Sequence, residues 1–217
     1  MSPVFPLPDT VFFPKTLLPL HILEPRYRLM IADAIRGDQS LCVALLKPGW
    51  EADYEGSPEV HPVACIGTIV MHEELADGRF NIVLQGVERV MIERYEQLTP
   101  YRIARLRPLA SDVAWTESPD VARESTELLE TFRRVQEKRA ATAQLASALG
   151  ERLSPEAILN SIAMHLDVEP KTKQFLLEIY SVAARYRIVV KILKNAMTNQ
   201  DRIDGARHLE PEDPGRN

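Results

Sequence analysis

Apolar and polar residues change their spacing near residue 110, and this change divides the chain into two parts. Residues 1–110 contain short apolar runs and alternating stretches of strand length, with one helical pattern among them. Residues 118–198 contain apolar residues only at helical spacing. The pattern predicts an α+β protein, with an N-terminal β domain that carries one helix, followed by a C-terminal helical bundle.

One helix is predicted inside the N-terminal part. An extended apolar segment at 17–23 leads to Glu24-Pro25, and proline is favoured at the first position of a helix, where its missing N–H is not needed. Gly37 follows the apolar stripe of this helix and is well placed to end it. We therefore expect a strand, a helix and then a second strand at 41–46.

The strongest hairpin signal is Asp77-Gly78, which lies between an apolar run at 63–71 and the alternating residues 80–84. An Asp-Gly pair is typical of a two-residue type I′ turn, in which both residues have positive φ. Gly86 then interrupts the strand pattern and predicts a bulge or a barrel corner. With a last strand at 101–106, these segments predict about five to seven mostly antiparallel strands that curl into a small barrel.

Serine-proline pairs mark helix starts in the C-terminal part. Ser118-Pro119 and Ser154-Pro155 each combine an N-cap residue with proline at the first helical position. A shorter helix between them is predicted to end at Gly150. From Pro170 one apolar stripe continues to about Thr198, which predicts a single long helix as the spine of a bundle of about four or five helices.

Length and charge narrow the class of protein. The chain has 217 residues and a formal net charge of −5, so it can bury a sizeable core and offers no general attraction for the phosphates of nucleic acid. We find no uninterrupted apolar segment of about 18 residues and no secretion signal, and we expect a cytoplasmic protein. Residues 199–217 are mostly polar and predict a disordered tail.

The cysteines and histidines do not form a recognisable metal site. His61, Cys65 and His72 have the residue types of zinc ligands, but an odd separation places Cys65 and His72 on opposite faces of a strand. Cys42 and Cys65 both lie in apolar runs, so we interpret them as reduced, buried thiols. No metal is expected.

Charged residues at the predicted helix start have a structural and a catalytic interpretation. Glu24 is favoured there by the helix dipole, and Arg26 and Arg28 can tie the helix to the sheet through paired charges. We favour the structural interpretation over an active-site cluster. The sequence also has no G-x-x-x-x-G-K-[ST] phosphate-binding loop, and we expect neither a catalytic residue nor a cofactor.

Two aromatic residues are the candidate protein-binding site. Trp50 and Tyr54 lie in the acidic, proline-rich segment 47–62, where no strand or helix pattern accounts for them. Aromatic residues are enriched where binding energy concentrates, and segments of this length are often functional. The alternative is that both rings only anchor the segment to its own domain. Clients with basic groups would be favoured by Glu51, Asp53, Glu55 and Glu59.

A local basic patch gives the alternative function, RNA binding, its only support in the sequence. The patch lies on a predicted helix and is interleaved with glutamates at helical spacing, so a solvated face that partly neutralises itself is the favoured interpretation. Its members are Arg133, Arg134, Lys138 and Arg139.

Short motifs follow one another in order along almost the whole chain. They are Phe5-Pro6-Leu7, Val11-Phe12-Phe13-Pro14, the run from Leu18 to Met30, Gly67-Thr68, Asp77-Gly78-Arg79, Gly86 with Arg89, Pro100-Tyr101, and Lys173-Gln174 with Arg185. In this order and spacing they resemble the N-terminal substrate-recognition domain of Lon proteases, over roughly residues 4 to 195.

The resemblance implies a PUA-like pseudobarrel followed by a helical bundle. It also implies recognition of unfolded or extended polypeptide, in a free-standing version without the ATPase and protease parts of Lon. We therefore expect a non-enzymatic module whose partners are polypeptide clients and a protease or an ATPase. Neither nucleic acid nor a membrane is expected as a partner. A PUA-like small-molecule or RNA-binding module is the alternative.

Overall fold

The computed structural model describes residues 1–53, 56–137 and 153–207. Its strands are β1 (Ser2–Leu7), β2 (Leu17–Ile22), β3 (Ser40–Leu45), β4 (Val63–Glu74), β5 (Phe80–Gln97) and β6 (Arg102–Pro108). Its α-helices are α1 (Pro25–Arg36), α2 (Val121–Glu137), α3 (Pro155–His165), α4 (Pro170–Glu178) and α5 (Val182–Arg207). This order of elements confirms the predicted α+β class.

Five of the six strands close into a small barrel. β5 is 18 residues long, and its residues 80–91 pair with β4. Its first half also pairs with β2 and its second half with β6, so the closed ring runs β5-β4-β3-β1-β6-β5. All pairings are antiparallel except that of β1 with β3. β2 stays outside the ring, beside the first half of β5.

Mostly small side chains fill the inside of this barrel. Each closed strand contributes to one buried cluster, which includes Val4, Cys42, Ala64, Val90 and Ala104. The outer wall of the barrel packs instead against α1 and the helical part, in a second cluster that runs through both halves of the molecule. The centre of the barrel is therefore a packed core, and a ligand can enter the barrel only at its open end.

Gly86 lies where the segment before β2 crosses β5. The Lys15 N–H donates to the Gly86 carbonyl (2.8 Å), and the Gly86 N–H donates to the Thr16 carbonyl (2.9 Å). A Cβ atom at position 86 would lie 2.2 Å from the Phe13 carbonyl oxygen, so a side chain there would displace the crossing segment. Next to it Val87 is an extra residue opposite β4, which confirms the predicted bulge.

The hairpin between β4 and β5 forms at the predicted place with a different turn. The Leu75 N–H donates to the Arg79 carbonyl and the Gly78 N–H to the Leu75 carbonyl, both at 2.8 Å. Of the turn residues only Gly78 has positive φ, at 76°. The two-residue type I′ prediction is therefore wrong, because pairing of Leu75 with Arg79 leaves a three-residue loop that ends in a left-handed glycine.

The start of α2 is displaced from the predicted Ser118-Pro119. Ser118 instead ends a short 3₁₀ helix that contains Trp115, and α2 begins at Val121. Trp115 is buried, stacks on Tyr186 with ring centres 4.9 Å apart, and donates to a Glu124 carboxylate oxygen (2.6 Å). This tryptophan anchor fixes the approach to α2 and delays the helix.

The second serine-proline start is confirmed. Ser154 is the N-cap of α3, and its side chain accepts a hydrogen bond from the Ala157 N–H (3.3 Å). The shorter helix predicted to end at Gly150 lies outside the described residues.

The single helix predicted from 170 to 198 is two helices, α4 and α5. Ile179 follows α4 in an extended conformation (φ −63°, ψ 123°), and α5 begins at Val182. Phe175, which the apolar stripe places in the core, is 54 % exposed. The prediction fails because arginine side chains from other elements bind the last carbonyls of α4 in place of the N–H groups of a continuing helix.

Two buried guanidinium groups bind the end of α4. Arg89 of β5 donates to the carbonyls of residues 177, 178 and 179 at 3.0, 3.2 and 3.0 Å. Arg185 of α5 donates to the carbonyls of Leu176 (2.9 Å) and Ile179 (3.1 Å). The C-terminal end of a helix carries partial negative charge, so cations are stabilising there. We call this pair of side chains the arginine clamp.

The arginine clamp also reaches two other parts of the chain. Arg89 donates to the Ala110 carbonyl and to the Ser111 hydroxyl, and Arg185 donates to the Asn160 side-chain oxygen of α3 at 2.7 Å. Burial, together with the neighbouring charge of Arg89, lowers the pKa of Arg185 to about 10. Both groups remain cationic at neutral pH, and they join β5, the segment after β6, α3 and α5 at the end of α4.

Further contacts cross the predicted boundary at 110–118. The Asn160 amide donates to the Pro14 carbonyl and the Gln174 amide to the Val63 carbonyl, both at 2.9 Å. The last strand ends at Pro108 and a 3₁₀ helix begins at Ala114, and the two parts share one apolar cluster.

The last helix is longer than predicted. α5 continues to Arg207, so the predicted disordered tail at 199–217 is corrected for its first nine positions. Few large apolar residues argue against burial of a segment, but a helix can be extended residue by residue without it. Residues 208–217 lie outside the described residues.

We expect Arg185→Met to destabilise the fold by about 3–5 kcal/mol, because it removes a buried cation that donates to the Leu176 carbonyl and the Asn160 side-chain oxygen, and leaves the Ile179 carbonyl with Arg89 alone. Guanidinium chloride unfolding measures this loss. Arg187→Met on the exposed face of the same helix is the matched control and should change the free energy of unfolding by less than about 0.5 kcal/mol. Equal stability of the two variants would contradict the structural role of the arginine clamp.

We expect Gly78→Val to destabilise the protein by about 1–3 kcal/mol, since a β-branched residue must then adopt positive φ. Thermal unfolding measures the effect. Ala76→Val places the same side chain in the same exposed turn without positive φ. A melting temperature that falls equally in both variants would show that φ at position 78 is not the cause.

Candidate functional site

An open cavity of about 590 Å³ lies at one end of the barrel, which we call the barrel mouth. It is bounded by the end of β1, the start of α1, the residue after β3 and the start of β6. Most of its wall is apolar, and its charged residues are the paired Glu24 and Arg26 together with Glu51 and Arg102. Its lining includes Phe5, Leu7, Arg26, Leu46, Trp50 and Arg102.

Arg102 connects this cavity with a second one of about 450 Å³ on the other side of Pro58. It lies two residues before Ala104, on the face of β6 that points into the barrel. Arg102 is 6 % exposed. The guanidinium carbon lies 5.9 Å from the centre of the Tyr95 ring, and burial raises the pKa of that tyrosine.

Trp50, one of the two predicted contact residues, lines the barrel mouth. It is half-buried and packs against the cluster inside the barrel. It begins a short 3₁₀ helix, Trp50–Asp53, inside the segment that shows no regular pattern in the sequence. Tyr54, the other predicted contact, lies outside the described residues.

The acidic residues of segment 47–62 are only partly available to a client. Glu59 pairs with Lys47 at 2.7 Å, and an Asp53 oxygen accepts from the Ser57 N–H at 3.2 Å. Glu51 is exposed and lines the barrel mouth. Glu55 lies outside the described residues.

A second open surface, the outer sheet face, is formed by β2, β5 and β4. Cross-strand neighbours form rows here: Pro19, Val83 and Met71 make an apolar row, and Leu17 lies beside it on β2. Met71 is 65 % exposed and Leu17 is 58 % exposed. The face encloses a shallow cavity of about 380 Å³.

A polar row lies next to the apolar one. His21 and Asn81 are joined by a hydrogen bond of 2.6 Å, and the Asn81 amide donates to a Glu73 carboxylate oxygen at 2.9 Å. Arg79 approaches the other ring nitrogen of His21 at 3.1 Å. The outer sheet face therefore offers exposed apolar side chains beside an ordered strip of hydrogen-bonding groups.

The prediction from sequence does not include the outer sheet face. The sequence does carry a signal for it, since Leu17 and Met71 are large apolar residues at positions where the alternation of their strands predicts exposure. Single exposed apolar residues are common on protein surfaces, and Leu17 and Met71 come together only because their strands both pair with β5.

The charged residues at the helix start have a structural role. Arg28 donates to the carbonyls of Leu23 and Asp77, each at 2.9 Å, and so ties α1 to the hairpin turn. Arg26 pairs with Glu24 at 3.0 Å. The Arg28 link from helix to hairpin runs through backbone carbonyls, whereas the sequence suggests a paired charge.

Both cysteines are buried free thiols, as predicted. Burial raises the pKa of both, for Cys42 to about 12, so neither is a thiolate near neutral pH. Cys65 is fully buried and His72 is exposed. Within the described residues, no three side chains among His, Cys, Asp and Glu are arranged to hold a metal ion.

The basic patch is described only in part. Arg133 and Arg134 lie on α2, whereas Lys138 and Arg139 are outside the described residues. No helix in the described ranges is both long and apolar enough to cross a membrane.

A closed barrel with one flanking strand, a helical part clamped to it and two open surfaces define the class of fold. Solved structures share it: the N-terminal domain of a Lon protease from the Mycobacterium avium complex superposes with a TM-score of 0.63 at 17 % identity, covering 89 % of this chain and 97 % of that one. A Lon N-terminal domain protein from Xanthomonas campestris gives a TM-score of 0.58 at 18 % identity, covering 88 % and 96 %.

Comparison of sequences identifies the family. The model of the ATP-dependent protease La (LON) substrate-binding domain matches residues 1–195, and the chain belongs to this family. Lon protease 2 of Myxococcus xanthus is 27 % identical over 208 residues, and Lon protease of Anaeromyxobacter dehalogenans is 26 % identical over 208 residues. Each match covers 94 % of this chain, which spans only about a quarter of the relatives' length (25 % and 24 %).

Proposed function

We propose that this chain is a non-enzymatic module that binds unfolded or extended polypeptide on the outer sheet face. The observation that carries the proposal is the apolar row of Pro19, Val83 and Met71, with Leu17 beside it, on a face that nothing else in the described structure covers. Exposed apolar side chains grouped in this way are typical of protein-binding surfaces.

The two rows of the outer sheet face suit an extended client. Burial of Met71 and Leu17 supplies binding energy, at about 25 cal/mol for each Å² of apolar surface removed from water. Beyond its bonds to Glu73 and His21, the Asn81 amide keeps one N–H and one oxygen lone pair that can bond to the client's backbone. A surface of this kind favours apolar segments without requiring one particular sequence.

Membership of the substrate-binding family supports a recognition role, since the match covers residues 1–195. We infer that a protease or an ATPase is a partner and receives the bound client. The relatives named above are Lon proteases, and the region matched here is about a quarter of each.

RNA binding has less support from the described residues. The net charge is −5, and Arg123 at the start of α2, the helix that carries Arg133 and Arg134, is paired with Asp120 (3.0 Å) and Glu127 (2.9 Å). A helix surface neutralised in this way does not attract phosphates strongly.

We expect Leu17→Ser combined with Met71→Ser to weaken binding of casein, used as an unfolded model polypeptide, by about tenfold or more, because apolar contact area is lost on binding. Fluorescence anisotropy with labelled casein measures the Kd. The melting temperature should hardly change, since both side chains are exposed in the free protein.

The matched control is Leu29→Ser combined with Phe175→Ser. These two side chains are also exposed, on α1 and α4, away from the outer sheet face. The control should keep the parent Kd. An equal loss of binding in both double variants would overturn the assignment of the surface.

A further inference from the structure

Arg102 differs from the other buried arginines that the structure describes. Arg89 and Arg185 donate hydrogen bonds to carbonyls at the end of α4. Arg102 is 6 % exposed, yet no ion pair between it and a carboxylate is found among the described residues. Its described neighbours include Tyr95 and Tyr27, whose neutral phenols do not cancel the charge.

The other two arginines of β6 do lie near carboxylates of the adjacent strand β5. Arg105 and Arg107 point away from the barrel and lie near Glu96 (3.7 Å) and Glu93 (3.0 Å), respectively. Among the three arginines of β6, Arg102 alone lines the barrel mouth and the second cavity beside it. The Arg102 side chain is nearly buried but lines both cavities, so an anion bound there could pair with a guanidinium that has no carboxylate partner among the described residues.

The other charges at the barrel mouth limit the kind of anion. Glu24 is engaged with Arg26 at 3.0 Å, and Glu51 adds negative charge at the rim. A phosphate dianion would be repelled by this negative charge, and the guanidinium of Arg102 would balance only one of its two charges. A carboxylate carries a single charge, and its two oxygens match the planar fork of a guanidinium.

The apolar wall indicates what is attached to the carboxylate. Phe5, Leu7 and Trp50 lie on the same cavity as Arg102. Beyond them the barrel is filled by Val4, Ala64 and their neighbours, so a chain can enter the cavity but cannot pass through the barrel. A group that ends in a carboxylate and has an apolar side chain next to it fits this arrangement.

We propose that the barrel mouth binds the C-terminal carboxylate and the last apolar side chain of a client polypeptide. Arg102 pairs with the carboxylate, and Trp50 forms one wall of the pocket for the side chain. The inference rests on the proposed function, since it adds a second contact for the same client. The sequence predicts Trp50 only as a protein-binding residue, and this inference assigns it to the side chain of the client's last residue.

The test uses two fluorescent peptides with the same apolar sequence ending in leucine, one with a free C-terminal carboxylate and one with a C-terminal amide. Anisotropy titration of the full chain should give a Kd at least about tenfold lower for the free acid, as expected for a charge-assisted bidentate contact. Equal Kd values for acid and amide would overturn the proposal.

Arg102→Met should abolish the preference for the acid and bring its Kd to that of the amide. Arg105→Met, on the opposite face of the same strand, should keep the full preference. Since each variant is compared with itself on two peptides, a general loss of stability does not imitate the result. An acid preference that survives in Arg102→Met, with a parent-like melting temperature, would overturn the assignment to Arg102.

Two further arms define the ligand. Trp50→Ala should reduce the preference for a terminal leucine over a terminal serine, while the preference for acid over amide remains. N-acetyl-leucine should compete at least about tenfold more weakly than the peptide, since it lacks the preceding residues. Competition at equal concentration would overturn the assignment to a polypeptide and show a site for small carboxylates.

Failure here is distinguishable from failure of the proposed function. Casein whose carboxylates have been converted to amides should still bind the parent protein and should bind the Leu17 and Met71 double variant weakly. If it does so while the peptide acid and amide bind equally, the outer sheet face is a binding surface and the barrel mouth is not a carboxylate site.

Discussion

The position of the helices relative to the barrel depends on the arginine clamp. Arg89 and Arg185 approach the end of α4 from different elements and satisfy carbonyls that would otherwise be buried without partners. The clamp explains why α4 stops at Glu178, why α5 begins in a new direction and why the segment after β6 is held close to both. A bulge beside Gly86 precedes Arg89, so the course of β5 is tied to the same point.

This arrangement also decides which surfaces remain open. α1 and the helical part cover most of the outer wall of the barrel, and side chains fill its centre. The outer sheet face beside β2 and the barrel mouth are left uncovered. The first offers an apolar row and the second a buried cation in an apolar wall, so together they suit a client that is apolar, extended and has a free end.

Much of the fold can be predicted from local sequence, whereas the candidate surfaces cannot. Alternation at 80–84 and the N-cap at Ser154 act within a few residues, and both are confirmed. The break after Glu178 is invisible locally, because its cause includes an arginine almost ninety positions earlier. Met71 becomes part of a surface only when β2 and β5 pair beside it. Trp50 stands out in the sequence as an aromatic residue in an acidic segment. Arg102, the cation that lines the same cavity, lies in β6, about fifty positions later.

Binding of unfolded polypeptide to the outer sheet face is tested most directly by methionine methyl NMR. The chain has six methionines; Met71 is exposed on that face, while Met30 and Met164 are buried elsewhere. We expect titration with casein to shift or broaden the Met71 methyl signal and to leave the signals of Met30 and Met164 unchanged. An unchanged Met71 signal at saturating casein, with bound protein confirmed by anisotropy, would contradict the proposed surface.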